Sequence, residues 1–540
     1  MTRPDDSFHV FDTTLRDGAQ REGISFSVAD KLAVAKLLDD YGVGFIEGGW
    51  PGAMPKDTEF FARAPQELDL RHAQLVAFGA TRKAGTKVDA DRQVAALLDS
   101  QAPVVCLVAK SDVRHVHEAL RTTLAENLDM VADTVAYLVA NGRRVFVDLE
   151  HFFDGYRHDS DYGVRLLERA FDAGASVGVL CDTNGGMLPS DIHEIVTDVA
   201  ARSGVRLGIH CQDDTGCAVA NTVAAVEAGV THVQGTSNGY GERTGNADLF
   251  TVVANLELKR GMRVLPEGKL QETTRIAHAI ADIANLPPDT HQPYAGTSSF
   301  AHKAGLHASA LKINAELYNH IHPEQVGNTQ RVLVTEMAGR ASVEMKGTEL
   351  GYNLARHPDV VTKVVERVKE LEQRGYSFEA ADASFELLLA AELGLVERAY
   401  DVESWRTIVS QAKDGSVVSE GIVKLLVEGE RIISAAEGNG PVNALDNALR
   451  QAVTQVHPEL ADLELVDYKV RILEGVTGTD AVTRVLVSTS DGQREWTTVG
   501  VHANVIHASW LAMDDAITFG LLQRNGMTNG AAARTVAVDA

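Results

Sequence analysis

The sequence predicts an α/β protein that begins with a (β/α)8 barrel and continues into a helical subdomain and a C-terminal α+β domain. Short β-branched runs alternate with amphipathic helical stretches through the first 250 residues, and eight such units can be counted. Strands that alternate with helices indicate right-handed βαβ units and a parallel sheet. Eight units in about 250 residues favour a barrel over a doubly wound open sheet, which is the alternative.

Each predicted strand is followed by a polar loop and then by a helix such as Ser27–Tyr41 or Ala218–Ala228. In chain order the strands are Phe8–Phe11, Gly44–Gly48, Gln74–Phe78, Val104–Ala109, Arg144–Glu150, Val177–Asp182, Arg206–His210 and His232–Thr236. Charged or hydrogen-bonding residues follow nearly every one of them. Because the carboxyl ends of barrel strands meet on one face, we expect these residues to converge there on a functional site.

The pattern changes twice beyond the barrel segment. Helical stretches dominate from about residue 274, namely Thr274–Ala284, Ser299–Ala310, Val360–Arg374 and Glu379–Leu393. Near residue 400 strands and helices mix again, with a final helix at Val501–Thr518, as in an independent α+β domain. We therefore predict that residues 1–270 form the barrel, 271–399 a helical subdomain that completes the site, and 400–540 the C-terminal domain.

Composition and charge exclude several classes of function. Of the 540 residues, 45% are hydrophobic and 23% charged, as in an ordinary globular protein with a large core. The net charge of −25 argues against nucleic acid or an anionic membrane as partner. Four cysteines without a CxxC spacing indicate free thiols and a reducing cytoplasm. We find no apolar signal region and no apolar run of membrane-spanning length.

The decapeptide Phe11–Gln20 carries the strongest functional pattern. It places Arg16 and Asp17 just after the first strand. Two opposite charges at this position are poor core material and suit a site, because arginine can clamp a carboxylate or oxyanion and aspartate can ligate a divalent cation. The alternative is a solvated turn with a local ion pair.

A metal site can be assembled from Asp17, His210 and a nearby amide or carboxylate, since a closed barrel brings strands one and seven to the same rim. Oxygen-rich ligation with one imidazole suits Mg²⁺ or Mn²⁺, although a histidine taken singly is more often hydrogen-bonded in the core. Asn246 offers a carbonyl oxygen from a glycine-rich loop whose spacing does not fit a dinucleotide fingerprint. Glu150, which ends strand five, is a candidate acid or base, or else an ordinary rim ion pair.

Five motifs together resemble the acyl-CoA-condensing branch of the metal-dependent TIM-barrel lyase superfamily, which contains the isopropylmalate, homocitrate and citramalate synthases. They are Asp12–Gln20 (DTTLRDGAQ), Gly208–Asp214 (GIHCQDD), Ala218–Asn221 (AVAN), Gly239–Leu249 (GYGERTGNADL) and His302–His307 (HKAGLH). Gly438–Val442 and Trp496–Val501 resemble the regulatory domain of that family. Ile46–Pro51 (IEGGWP) and Glu150–Tyr156 (EHFFDGY) are most similar to its citramalate synthase type.

The resemblance implies a Claisen-type condensation of acetyl-CoA with a 2-oxo acid, pyruvate in the citramalate type, followed by thioester hydrolysis. It implies Mg²⁺ or Mn²⁺ on Asp17, His210, Gln212 and Asn246. It also implies substrate contacts from Arg16, Gln20, Glu47 and Thr183, with Arg16 catalytic and the base left open between Glu150 and the pair His307 and Tyr318. A homodimer, a branched-chain amino acid effector and a place in isoleucine biosynthesis are implied as well.

Two positions depart from the pattern of the resembled family. Gln212 stands where the family has a second metal-binding histidine, and Thr244 stands where a cysteine is expected. A glutamine carbonyl can ligate a hard cation but lacks the basicity of imidazole, so we expect weaker metal binding. Three alternatives follow. The protein is an active enzyme in which Gln212 binds the metal, or it is an isopropylmalate synthase-like or specialised enzyme that uses another 2-oxo acid. In the third alternative it binds metal poorly and acts as a metabolite sensor. A retro-aldol lyase is disfavoured by the C-terminal domain.

Overall fold

The computed structural model describes residues 6–396, 400–427, 429–473 and 481–528. Its first part is a closed barrel of eight parallel strands in sequential order, which confirms the predicted fold class. The strands are β1 (His9–Asp12), β2 (Phe45–Gly49), β3 (Gln74–Ala80), β4 (Val104–Lys110), β5 (Arg144–Glu150), β6 (Val177–Asp182), β7 (Leu207–Cys211) and β8 (His232–Gly235). Strand β1 closes the barrel by pairing with both β2 and β8, in a register that sets His9 beside His232.

Helices cover the outside of the barrel. They are α1 (Val28–Tyr41), α2 (Pro55–Glu67), α3 (Arg92–Asp99), α4 (Val113–Glu118), α5 (Leu124–Ala140), α6 (Phe152–His158), α7 (Ser160–Asp172), α8 (Pro189–Ser203), α9 (Ala218–Glu227), α10 (Leu249–Arg260) and α11 (Thr273–Ile283). Local sequence sets their ends. Helix α1, for example, begins at a capping box between Ser27 and Asp30 and ends at Gly42, whose φ of 94° suits glycine.

An aromatic layer fills the lower end of the barrel, where the strands begin. Phe11, Phe45 and Phe146 pack around the rings of His9 and His232, with ring centroids between 4.8 and 6.4 Å apart. The two imidazoles contact each other through their Nδ1 atoms at 3.1 Å, and the Nε2 atom of His9 lies 2.9 Å from Asp6. This layer closes the lower end, so any site has to lie at the carboxyl ends of the strands.

The buried histidine pair predicts a loss of stability in acid. Burial lowers the pKa of His9 to about 4 and lowers the pKa of His232 well below its ordinary value. Below about pH 6.5 these two histidines are protonated in the unfolded chain but stay neutral in the folded protein. The free energy of unfolding therefore falls as the pH drops below about 6.5. We expect His9 alone to cost about 2 kcal/mol of the free energy of unfolding at pH 5.

Urea unfolding at pH 7.5 and at pH 5 measures this loss. Acidification also protonates carboxylates elsewhere, so the comparison is made against His232→Phe, which keeps an aromatic ring in the layer and removes one titrating group. The variant should lose less stability between the two pH values than the wild type. An identical loss in both proteins would show that the histidine pair does not control the acid response.

The chain divides into two compact units, one of residues 1–300 and 321–330 and the other of 301–320 and 331–540. Helices of the second unit are α12 (Gly305–Ile313), α13 (Arg340–Glu349), α14 (Pro358–Gln373), α15 (Asp382–Glu392), α16 (Pro441–Thr454) and α17 (Val505–Thr528). Its strands are β9 (Ala301–His302), β10 (Arg331–Val332), β11 (Asp401–Gln411), β12 (Val417–Val427), β13 (Glu430–Gly438), β14 (Glu464–Ile472), β15 (Thr483–Ser490) and β16 (Glu495–His502). The predicted boundaries at residues 270 and 399 stay predictions.

Two of the predicted helices begin too early. Within Ser299–Ala310, residues 301 and 302 form β9, which pairs in parallel with β10, and the helix starts only at Gly305. Within Val501–Thr518, residues 501 and 502 complete β16 against β15, and the helix starts at Val505. In both places pairing with a distant strand decides the structure, and helical periodicity in the sequence carries no information about such pairing.

The C-terminal part consists of two three-stranded antiparallel sheets, β11–β12–β13 and β14–β15–β16. Helix α16 packs on the first sheet and α17 on the second. Within α17, Val505–Arg524 is long and apolar enough to cross a membrane, but 56% of its most apolar window is buried inside the structure. Buried packing of this kind is what the core helix of a domain requires.

Candidate active site

The turn after β1 presents Arg16 and Asp17 at the upper rim of the barrel. The carbonyl oxygen of Thr13 accepts hydrogen bonds from the backbone N–H groups of Arg16 and Gly18, at 3.2 and 3.0 Å. Asp12 fixes the base of the turn, since its carboxylate accepts from the Thr14 N–H and from the Ser237 hydroxyl on the β8 side. The two charged side chains are therefore held by backbone geometry rather than left in a solvated turn.

Arg16 is held on three sides. Its Nε donates to Glu47 Oε2 at 2.6 Å, its Nη1 lies 3.3 Å from Asp17 Oδ2, and its Cζ lies 3.9 Å from the centroid of the Phe78 ring. Burial opposes the charge of Arg16, but Glu47 and Asp17 outweigh burial and raise its pKa. The site therefore contains a permanent, oriented cation.

Four side chains from three strand ends meet beside Arg16. Asp17 Oδ2 lies 3.6 Å from His210 Nε2, and Asp17 Oδ1 accepts from Asn246 Nδ2 at 3.2 Å. Gln212 Nε2 lies 3.4 Å from His210 Nε2, and the backbones of Gln212 and Asn246 form an isolated antiparallel bridge. Burial raises the pKa of Asp17, yet the charge of Arg16, together with His210 and the hydrogen bond from Asn246, outweighs burial and holds that pKa below its usual range. These residues are the predicted ligand set, now in one place.

Two carbonyl oxygens in this group have no hydrogen-bond partner. Gln212 Oε1 and Asn246 Oδ1 are both buried and unpaired among the described residues. Burying a carbonyl oxygen without a hydrogen-bond partner costs about 1–3 kcal/mol of folding free energy. Two such oxygens at the rim therefore indicate that a ligand binds them. Gly241 makes room here, because a Cβ on it would clash with the amide of Asn246. Two amide oxygens, a carboxylate and one imidazole suit a hard divalent cation.

The ends of β5 and β6 supply the next polar groups. Glu150 forms an ion pair with Lys110 at the end of β4. His151 has a φ of 59°, which is uncommon for a residue other than glycine, and its N–H donates to Thr183 Oγ1 at 2.9 Å. The Thr183 hydroxyl is thus oriented by His151 and keeps its own proton to donate.

The remaining predicted residues are Gln20, in the turn after β1, and the pair His307 and Tyr318, in the second unit. Gln20 is exposed at the end of the turn Gly18–Gln20. His307 and Tyr318 belong to the second unit, where their rings stack with centroids 4.0 Å apart. His302 lies beside them and hydrogen-bonds Asn319 through Nε2 at 2.8 Å. The roles assigned to these residues stay predictions.

A second group of potential ligands lies deeper in the barrel. Carboxylate and thiol atoms of Glu47, Cys106 and Asp148 all lie within 4.8 Å of one another. Cys106 Sγ donates to Asp148 Oδ1 at 3.1 Å, while Arg16 Nε and the Thr13 hydroxyl both donate to Glu47 Oε2 and leave Glu47 Oε1 without a partner among the described residues. Burial raises the pKa of all three groups. Because Asp148 Oδ1 and Glu47 Oε2 already accept hydrogen bonds from protein donors, this cluster forms a hydrogen-bonding floor beneath the rim.

The sequence matches three family models in order along the chain. Residues 7–280 match the HMGL-like family, residues 295–376 the homocitrate synthase post-HMGL domain-like family, and residues 379–521 the LeuA allosteric (dimerisation) domain. The chain belongs to the HMGL-like family. This membership confirms the family resemblance carried by the sequence motifs, and the order of the three matches agrees with the predicted order of barrel, linker and C-terminal domain.

Curated relatives of this HMGL-like protein span nearly its full length. A Streptomyces coelicolor protein named (R)-citramalate synthase is 67% identical over 520 residues, which cover 96% of this chain and 97% of that protein. An Aquifex aeolicus protein of the same name is 47% identical, covering 95% of this chain and 98% of that protein. A Methanopyrus kandleri protein named probable 2-isopropylmalate synthase is 32% identical, covering 93% and 96%.

Sequence reasoning missed the residues beneath the rim of this HMGL-like barrel. Thr13, Asp148 and Gln234 all hydrogen-bond directly to a predicted site residue or to one of its partners. A weak signal existed, because Gln234 and His232 are polar residues that alternate with Val233 in a strand buried on both faces. Polar side chains at such positions need internal partners.

Proposed function

We propose that the protein is a citramalate synthase that condenses acetyl-CoA with pyruvate to give (R)-citramalate and free CoA. The observation that carries the proposal is the convergence of Arg16, Asp17 and His210 with two unpaired carbonyl oxygens at the barrel rim. High identity to relatives named for this activity supports the same conclusion. We place the enzyme in isoleucine biosynthesis, in the cytoplasm, where its four free cysteines fit a reducing environment.

Asp17, His210, Gln212 and Asn246 would hold Mg²⁺ or Mn²⁺. When bound, the cation polarises the keto group of the 2-oxo acid and stabilises negative charge that develops on its oxygen. Arg16 adds a second positive group at the same place, fixed in advance by Glu47 and Phe78. The Thr183 hydroxyl donates to the carboxylate of the oxo acid, and Gln20 and Glu47 complete the substrate contacts.

Two bases remain candidates for removing a proton from the methyl group of acetyl-CoA. Glu150 lies at the rim beside Lys110, and His307 stacks on Tyr318 in the second unit. Either group takes the methyl proton, and the resulting carbanion attacks the keto carbon to form the new carbon–carbon bond. Water then cleaves the thioester and CoA leaves as the free thiol.

A panel of 2-oxo acids tests the proposed activity. Purified protein with saturating Mg²⁺ or Mn²⁺ and acetyl-CoA is given pyruvate, 2-oxoisovalerate or 2-oxobutyrate in turn, and free thiol is measured. We expect the highest kcat/KM with pyruvate and a product that co-elutes with (R)-citramalate. Preference for 2-oxoisovalerate would assign an isopropylmalate synthase instead, and no CoA release with any acid would overturn the synthase function and favour a sensor.

Restoring imidazole at position 212 should strengthen metal binding. Gln212→His replaces a neutral amide oxygen with a more basic ligand at a buried position of similar size, so we expect the Kd for Mn²⁺ to fall by about tenfold or more. Titration of chelator-treated protein with Mn²⁺, followed by electron paramagnetic resonance of the free ion, measures it. Gln212→Leu is the matched loss and should weaken binding; a Q212H protein that binds no better than Q212L would remove position 212 from the ligand set.

We further propose a homodimer formed through the C-terminal domain, with a branched-chain amino acid as its effector. The LeuA allosteric (dimerisation) domain match supports this assignment. One face of the sheet β11–β12–β13 also exposes large apolar side chains, namely Ile408, Val418, Leu426 and Ile433. An exposed apolar sheet face of this kind is typical of a surface that a partner subunit covers.

A further inference from the structure

Gln234 is a buried amide that links a predicted metal ligand to a remote carboxylate. It lies on β8 opposite His210 of β7, and only 1% of its surface is exposed. Its Oε1 lies 3.0 Å from His210 Nδ1, and its Nε2 lies 2.9 Å from Asp148 Oδ1. Asp148 comes from β5, across the barrel, so the amide spans the interior between two strands that do not pair with each other.

Asp148 determines which way this amide points. Its Oδ1 already accepts a hydrogen bond from the Cys106 thiol, and a carboxylate oxygen facing the Gln234 carbonyl would create an unfavourable contact between two acceptors. The Gln234 amide nitrogen therefore faces Asp148, and its carbonyl oxygen faces the imidazole. A carbonyl can only accept, so His210 has to carry its proton on Nδ1.

We propose that Gln234 is a positioning residue that fixes His210 in the tautomer whose Nε2 lone pair is free to bind the metal. This inference rests on the metal site of the proposed function. With the proton on Nδ1, Nε2 points to Asp17 Oδ2 at 3.6 Å and to the side chain of Gln212. Hydrogen bonding at one imidazole nitrogen sets both the orientation and the basicity of the other as a ligand.

The positioning role carries more weight here than in a site with two imidazoles. With Gln212 in the ligand set, His210 is the one imidazole that the four proposed ligands contain. A wrong tautomer at His210 would leave only amide and carboxylate oxygens to hold the cation. The chain Cys106–Asp148–Gln234–His210 thus protects the single nitrogen ligand of the site.

Mn²⁺ binding to chelator-treated full-length protein tests this role without relying on activity. Gln234→Met keeps the length of the side chain and removes both hydrogen bonds, so we expect its Kd for Mn²⁺ to rise by about 10- to 100-fold. Gln234→Glu combined with Asp148→Asn keeps an oxygen that accepts from Nδ1 and supplies an amide that can donate to the new carboxylate, so this double variant should recover most of the affinity. Asn328→Leu is the control, because Asn328 is a buried amide that donates two hydrogen bonds, to Tyr294 O and Gly296 O.

Each outcome decides the proposal. A Q234M protein that binds Mn²⁺ within about threefold of the wild type, or a Q234E/D148N protein as weak as Q234M, overturns the positioning role while the proposed function stands. A wild type that binds no Mn²⁺ overturns the metal site and this inference together. If circular dichroism shows that Q234M does not fold, Gln234→Leu takes its place, and N328L shows whether loss of a buried amide alone lowers affinity.

Discussion

Asp17→Asn should weaken Mn²⁺ binding by at least about 100-fold and lower kcat/KM roughly 1000-fold. The substitution keeps the shape of the side chain and removes the only formal negative charge in the proposed ligand set. It also leaves Glu47 as the one carboxylate that the Arg16 side chain hydrogen-bonds among the described residues. Metal titration and the thiol-release assay, run on the same preparation, give the two numbers.

Asp39→Asn is the matched control for that variant. Asp39 is another buried aspartate of the barrel unit, but its carboxylate accepts from the backbone N–H groups of Arg71, His72 and Ala73 on the outer layer. D39N should lose stability and keep its Mn²⁺ affinity. If D17N bound Mn²⁺ as tightly as D39N does, the metal would have to be placed elsewhere.

Arg16→Lys should lower kcat by about 100- to 1000-fold and leave the Kd for Mn²⁺ within about twofold of the wild type. Lysine retains the charge but loses the planar face that stacks on Phe78 and the fork that bonds Glu47 and Asp17 together. The positive charge of the side chain at position 16 is then no longer directed at the substrate oxygen on which negative charge develops. Steady-state kinetics with pyruvate as the varied substrate separate this loss in kcat from any change in KM.

Arg82→Lys controls for the general cost of shortening a buried arginine. Arg82 is a buried arginine that bonds two carboxylates, Glu126 and Asp133, outside the proposed site. We expect R82K to retain near-wild-type kcat. If kcat fell equally in R16K and R82K, the loss would come from a general disturbance of the fold and not from the position of the charge beside the reacting oxygen.

The sequence was sufficient for the barrel and for the residues at its rim. Strands such as β5 are short, β-branched and followed by polar residues, and the closed order of the barrel follows from eight units of this kind. Arg16, Asp17 and His210 could be placed together for that reason. Asn246 was offered by the glycine-rich loop and Gln212 came from the family resemblance, and their unpaired oxygens became visible only in the structure.

Other features depend on pairing between distant strands and could not be predicted. Gln234 bonds His210 on a neighbouring strand and Asp148 across the barrel, and a one-residue shift of β8 would turn its side chain outward. The same limitation explains the early starts predicted for α12 and α17, where residues 301–302 and 501–502 pair with strands instead. Local periodicity describes a segment and does not identify its partners.

The aromatic layer at the lower end of the barrel affects how substrates enter and products leave the site. Because the rings of Phe11, Phe45 and Phe146 close that end, everything enters and leaves through the upper mouth. Citramalate therefore leaves through the same opening by which the next molecule of pyruvate enters. Accumulated product should therefore compete with fresh substrate for entry, and the throughput of the enzyme should depend on how quickly the cell removes citramalate.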